Sequence, residues 1–294
     1  MSAASVSPSV VALADLLQTS TALLERAGIP TARADAELLA GFVLGCSRGR
    51  VQASVLTGTV VDASAAESLL QAVHRRASRE PLQHITGTAP FRHLELAVGP
   101  GVFVPRPETE IVAQFAIDTL QAVATPEPIA VDLGTGSGAI ALAMATEVPH
   151  ALVFGVEVSA EAFVWTRENF RVVGAANARA IFGPLTDALP ELDGTVDVVI
   201  SNPPYIPTGA VPRDPEVRLF DPEVALYGGP DGLDVMREVS RTALRLLHPG
   251  GTLVVEHGEQ QAGPVADLLR NDGWHAIAHH RDLSGRDRAT TALC

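Results

Sequence analysis

Two hydrophobic rhythms divide the chain. From Val10 to Ala27 the apolar residues Val11, Leu13, Leu16, Leu17, Leu23 and Leu24 recur at roughly helical spacing, and Gly28 closes the run. The same spacing predicts a second helix over about Ala32 to Leu44, followed by Gly45, and a third over about Ala63 to Arg79, with Asp62 as its N-cap. Arg75, Arg76 and Arg79 near the end of the third helix complement its dipole and read as a solvated helix end. Residues 1–8 read as a loose tail. Residues 1–80 are thus expected to form a small helical domain. They hold no catalytic constellation, which leaves binding a partner as the job for such a domain.

Over residues 81–104 the pattern changes. His84-Ile85-Thr86-Gly87-Thr88 and His93-Leu94-Glu95-Leu96-Ala97-Val98 read as the two strands of a linking β-hairpin. Pro107 then fits the first turn of a helix to about Val123, with Glu108 and Glu110 as partners of its N-terminal dipole. From Ile129 the order is strand, turn, helix, repeatedly. Strands are expected at Ile129 to Leu133, Leu152 to Glu157, Ala178 to Phe182, Val196 to Ile200, Thr252 to Glu256 and about Trp274 to Ala278. Helices are expected over Ala139 to Thr146 and about Ala160 to Val173, Leu233 to Leu247 and Gln260 to Leu269. This predicts an α/β fold: a doubly wound, Rossmann-like parallel sheet over residues 105–294. The Pro- and Asp-rich stretch 207–230 reads as a long loop, and a loop of that length on such a sheet is often functional.

Composition narrows the partners. With 21 basic and 34 acidic residues in 294, the net charge is −13, which argues against long-range attraction to nucleic acid or an anionic membrane. The most apolar window, Ile129 to Ala145, is interrupted by Asp132 and a run of Gly, Thr and Ser, so no membrane span is expected. No signal peptide is evident, and Cys46 and Cys294 offer no metal spacing and read as free thiols of a reducing cytosol.

Two stretches carry the chemistry. Val198-Val199-Ile200-Ser201-Asn202-Pro203-Pro204-Tyr205 reads as a buried strand stopped by two prolines, which offer carbonyls but no N–H. With the Asn202 amide and the Tyr205 ring, such a loop suits a planar NH2 group, a double donor. Gly134-Thr135-Gly136-Ser137-Gly138 sits between a strand and a helix N-terminus, where backbone can approach an anionic ligand closely. Its Gly-x-Gly-x-Gly spacing differs from that of dinucleotide dehydrogenases. Glu157 ends the next strand, 19 residues beyond Gly138, where an acid accepts hydrogen bonds from ribose hydroxyls. A ribose-bearing ligand beside an amide-recognising loop points to S-adenosyl-L-methionine and methylation of a planar nitrogen.

The chain resembles the release factor glutamine methyltransferases, the PrmC/HemK family. The resemblance is carried by Phe103-Val104-Pro105-Arg106-Pro107-Glu108-Thr109-Glu110, by Asp132-Leu133 with the glycine turn, by Ser201-Asn202-Pro203-Pro204-Tyr205-Ile206, and by Glu256-His257-Gly258. It implies methylation of the N5 amide nitrogen of the glutamine in the Gly-Gly-Gln motif of class 1 peptide chain release factors, with no direct DNA binding. By that resemblance Gly134, Thr135, Gly136, Ser137 and Gly138 line the methionine end of the cofactor and Glu157 holds its ribose. Phe103, Arg106, Leu185 and Asn202 complete the cofactor-binding set. Asn202 and the Pro203 carbonyl accept the two amide hydrogens, Tyr205 packs beside the side chain, and Pro204 adds to the substrate site. Where the family often has an acid and an aromatic residue against adenine, this chain has Pro184 and Leu185, so only an apolar contact is expected there. His257 reads as a structural histidine at a strand end, and no metal is implied. An adenine N6-methyltransferase shares the Asn-Pro-Pro-Tyr loop, and a non-catalytic nucleoside-binding or ribosome-associated module shares the fold; both readings stay open at this level.

Overall fold

The computed structural model describes residues 10–294, so the expected tail lies outside the described residues. The chain divides into two compact units. The first is the chain up to Gly87 together with Arg213–Phe220; the second is Thr88–Pro212 together with Asp221–Cys294.

The first unit begins with β1 (Val10–Ala12), α1 (Leu13–Arg26), α2 (Ala32–Leu44), α3 (Arg48–Leu56), β2 (Val60–Asp62), α4 (Ala63–Ala77) and α5 (Leu82–Thr86). Leu13, Leu17 and Leu24 of α1 meet Leu39 of α2 and Leu69 and Val73 of α4 in one apolar core. Val10 to Ala12, expected as the start of the first helix, instead pairs antiparallel with Val60 to Asp62. The expected strand His84-Ile85-Thr86 is helical: Ile85 is buried in the unit's core, and Gly87 closes the turn with φ +78°. The hairpin is therefore shorter than the sequence suggested.

From Thr88 onward β3 (Thr88–Phe91) and β4 (Leu94–Ala97) form the hairpin. There follow α6 (Pro107–Ala122), β5 (Ile129–Leu133), α7 (Ala139–Glu147), β6 (Leu152–Glu157), α8 (Ala160–Val173), β7 (Ala178–Phe182) and β8 (Val196–Ser201). Then come α9 (Pro215–Phe220), α10 (Asp234–Leu246), β9 (Leu247–Glu256), α11 (Ala262–Asp272), β10 (His275–Arg281) and β11 (Asp287–Leu293). Seven strands form one sheet in the order β10-β11-β9-β8-β5-β6-β7. β5 to β9 are parallel, and β11, which the sequence reading lacked, runs antiparallel between β9 and β10. Side chains alternate across the sheet. Ala130, Val198, Ile200 and Val254 face α6 and α7, whereas Val131, Leu133, Val199 and Val255 face α10 and α11. Burial on both faces explains why the strands read as continuous apolar runs.

α9 belongs to the first unit. Its Glu216 pairs with Arg76 at 2.9 Å and Arg79 at 2.7 Å, and Arg76 also donates to Asp35 at 2.8 Å. The Arg76 and Asp35 side chains are only 8% and 7% exposed, so Arg76 does not lie on a solvated helix end. Arg75 does remain there, paired with Glu80. Among the described residues no helix is long and apolar enough to cross a membrane.

Candidate active site

β5 lies between β8 and β6, with Asp132 level with Ile200 on one side and Gly155 on the other. The loops at the carboxyl ends of these three strands therefore open side by side, at the point where the sheet's strand order reverses. The Ser201 hydroxyl donates to the Leu133 carbonyl at 2.6 Å and ties two of the loops together.

After β5 the chain turns through Gly134, Gly136 and Gly138, with φ values of +76°, +56° and +87°. A Cβ on Gly138 would strike the Phe170 ring at 2.8 Å, whereas one on Gly134 or Gly136 would meet open space. One side of the turn is thus packed and the other is accessible. Thr135 and Ser137 are buried beneath it. The turn is held by Thr166 Oγ1 donating to the Gly136 carbonyl at 2.6 Å and Asn169 Nδ2 donating to the Ser137 carbonyl at 2.8 Å. Glu157 braces the same turn: its carboxylate accepts from the Gly136 amide at 2.8 Å and from the Ser159 amide at 2.7 Å. Asp132 is fully buried, and its Oδ2 accepts from the Thr135 hydroxyl and the Ala141 amide. Its Oδ1 is buried with no partner, and burial, with Glu157 adding to it, pushes the carboxyl up to about 7.

After β8, Pro203 is buried and Asn202, Pro204 and Tyr205 are half-buried. The loop is fixed by backbone rather than by chance contacts. The Tyr205 carbonyl accepts from Gln261 Nε2 at 2.9 Å, and the Ile206 amide donates to the Leu226 carbonyl at 2.9 Å. A Cβ on Gly228 would stand 2.4 Å from the Pro204 carbonyl, and one on Gly232 2.3 Å from that of Tyr205, so these glycines let the chain close over the loop. Asn202 Nδ2 donates to Thr109 Oγ1 at 3.4 Å, across from the first turn of α6.

Thr109 is buried, as is Glu256 at the end of β9. Burial pushes the Glu256 carboxyl up to about 7 and Glu108 adds to the effect, while the Thr109 hydroxyl, Arg288 and the Tyr205 hydroxyl oppose it. Burial and the Glu256 carboxylate push the Tyr205 phenol above its ordinary range.

The other expected site residues lie as follows. Arg106 donates to Asp221 Oδ2 at 2.6 Å, and its guanidinium covers the Phe103 ring at 4.9 Å. It is engaged within this loop cluster, where burial pushes Asp221 up to about 6 in spite of Arg106. Leu185 is 8% exposed and packs with Val156, Ala188 and Leu189 in the core. Phe182, level with Glu157 on the next strand, is instead 54% exposed and leans on Phe163. His257 is fully buried, its Nδ1 donating to the Gly258 carbonyl and its Nε2 facing the Thr290 hydroxyl at 2.8 Å. Burial lowers its pKa, which fits a neutral structural ring. Among the described residues there is no group of His, Cys, Asp and Glu that could hold a metal ion. Asn169, Asp221, Gln261 and Arg288 were not singled out from the sequence, because each acts through contacts made far along the chain.

Family models match twice: the PrmC N-terminal domain over residues 15–87 and the methyltransferase small domain over residues 93–220. A release factor glutamine methyltransferase of Streptomyces coelicolor is 50% identical over 282 residues, which are 95% of this chain and 97% of that protein. The chain belongs to the release factor glutamine methyltransferases. The expected fold class and family are thus both borne out. Similarity within this frame extends to a 4-amino-L-phenylalanine/4-methylamino-L-phenylalanine methyltransferase of Streptomyces pristinaespiralis, 42% identical and covering 92% of this chain and 91% of that protein. In fold, this glutamine methyltransferase family member is similar to a methyltransferase of Pyrococcus furiosus, with a TM-score of 0.50 at 20% identity over 69% of this chain and 89% of that one.

Proposed function

We propose that the chain transfers the methyl group of S-adenosyl-L-methionine to the N5 amide nitrogen of the glutamine in the Gly-Gly-Gln motif of class 1 peptide chain release factors. Family membership supports the activity. The observation that carries the assignment of the site is the emergence of the Asn-Pro-Pro-Tyr loop, the glycine turn and Glu157 from three adjacent parallel strands.

The residues present fit the cofactor. Open space over Gly134 and Gly136 allows close approach. The partnerless Asp132 Oδ1 is complementary to an ammonium group. Glu157 spends one lone pair of Oε2 on the glycine turn and one of Oε1 on the Ser159 amide at the start of α8, and keeps others for ribose hydroxyls. When bound, the cofactor supplies an electrophilic methyl carbon on a sulfonium that leaves as a neutral thioether. An amide nitrogen is a poor nucleophile because its lone pair is delocalised, so the chain's own task is alignment, which supplies ~7–11 kcal/mol in well-oriented reactions. The Asn202 side-chain carbonyl and the Pro203 backbone carbonyl accept the two N–H bonds of the substrate amide, and Tyr205 packs beside it. These acceptors would stabilise the positive charge that develops on the amide nitrogen as it takes up the methyl group, and would leave one of its protons free to pass to solvent.

The helical region, residues 1–80, is the proposed seat of the protein substrate. Leu38 and Phe42, one turn apart on α2, and Leu56 at the end of α3 are exposed apolar residues. Arg33, Arg48 and Leu56 line a concavity of about 530 Å³. A protein substrate also suits a net charge of −13 better than DNA does, and a translation factor as substrate goes with a cytoplasmic location.

Labelled cofactor offered with purified release factor, with DNA and with 4-amino-L-phenylalanine tests the proposal. Label should enter the release factor and be lost when its Gly-Gly-Gln glutamine is replaced. Label in DNA or in the amino acid, with none in the release factor, would reject it.

A further inference from the structure

Resting on the reading of Asn202 as the amide clamp, we propose that Thr109 is a positioning residue that turns the carbonyl end of Asn202 toward the substrate. An asparagine amide has a donor end and an acceptor end of nearly equal shape, and only its hydrogen-bond network decides which way it faces. For amide methylation the wrong orientation presents an NH2 to an NH2, which repels the substrate.

The network here has one consistent direction. Ser201 of β8 lies level with Val255 of β9, so Asn202 and Glu256 follow side by side at the ends of neighbouring strands. Thr109, 3% exposed, covers both from the first turn of α6. Its hydroxyl has a single proton, and Glu256 beside it carries a buried Oε2 with no partner, which when ionised can only accept and so draws that proton. Thr109 Oγ1 then has lone pairs left and no proton, so it can be satisfied by Asn202 only through the NH2 end, as observed at 3.4 Å. The carbonyl oxygen of Asn202 is thereby directed away from α6. Protonation of Glu256 would reverse the chain of donors and bring the Thr109 proton onto the Asn202 carbonyl. The other groups facing Glu256 are Glu108 from α6, Tyr205 from the loop after β8 and Arg288 from β11.

Single-turnover methylation of release factor at saturating cofactor, across pH, is the test. Thr109→Val should lower turnover roughly 10- to 100-fold with cofactor affinity unchanged, and Thr109→Ser should restore it to within a few fold. In an Asn202→Ala background, Thr109→Val should cost nothing further, since the amide it orients is gone. Wild-type turnover should fall as pH drops through about 7, and Thr109→Val should flatten that dependence. Full turnover by Thr109→Val, or an equal loss in both backgrounds, overturns the inference. Full turnover by Asn202→Ala instead rejects the clamp itself, so the two failures are separable. Should Thr109→Val not fold, 15N-asparagine-labelled wild-type protein decides. Slowed exchange of the Asn202 side-chain NH2 supports the contact, and exchange at the rate of a free amide overturns it.

Discussion

Glu157 holds two backbone amides and still has lone pairs to offer, so its substitutions should separate cofactor binding from turn geometry. Glu157→Gln keeps one acceptor oxygen but loses the charge, and Glu157→Ala loses the proposed ribose acceptor and the brace together. Hydrogen bonds to a charged acceptor contribute about 1.5–3 kcal/mol each, so calorimetry should show cofactor affinity weakened on the order of 10- to 100-fold by Gln and further by Ala. Unchanged affinity in Glu157→Ala would remove Glu157 from the ribose site. At this scale the sequence reading placed Glu157 and Asn202 where the structure has them, at the carboxyl ends of strands. It was blind to residues whose partners arrive from elsewhere. Nothing local distinguishes Thr109 from any helix-start threonine, and Glu256 was quoted only as part of a motif, because the register of β8 against β9 is what makes them neighbours of Asn202.

Among the elements, α9 is held to its unit by charge more than by apolar contact: none of its residues is fully buried. Burial works to raise the Glu216 carboxyl, but its own backbone amide together with Arg79 and Arg76 holds it below its ordinary value. Glu216→Gln leaves both arginines short of a carboxylate, and loss of one partner from so sheltered a cluster should cost ~1–3 kcal/mol. Hydrogen exchange should then be faster at residues 215–220, with the sheet unaffected; unaltered protection there would show that the cluster does not hold the segment. The elements that escaped the sequence reading each carry a weak or misleading local pattern. α3 buries only Val51, so its apolar periodicity is weak. β11 faces inward with Ala289, Thr290 and Ala292, small residues that give little alternating signal. The three residues of β1 were absorbed into the helical rhythm that follows them, and Ile85-Thr86 looked strand-like because β-branching outweighs a single turn of helix in any local pattern.

Over the whole molecule, the parallel core of the sheet was legible because buried strands announce themselves, whereas the order of its edge was not. The same burial has a thermodynamic signature. Asp132 titrates at about 7 in the folded chain against an ordinary 3.8, and Glu256 at about 7 against 4.5. Between the ordinary and folded values the native state binds more protons than the unfolded chain, so these groups lower stability as pH rises through that window. Every tenfold difference in acidity between the folded and unfolded chain corresponds to about 1.4 kcal/mol. The melting temperature of Asp132→Asn relative to wild type should therefore increase between about pH 5 and pH 8; a difference independent of pH would show that Asp132 titrates as it does when unfolded. The chain's two-part first unit also has a temporal side. Arg79 and Glu216 lie 137 residues apart, and synthesis proceeds at ~5–20 residues per second, so roughly 7–27 s separate the making of one partner from that of the other. Throughout that interval Arg79 awaits its carboxylate while β5, β6, β7 and β8 are all made. The unit that starts the chain is thus completed only after most of the parallel sheet has left the ribosome.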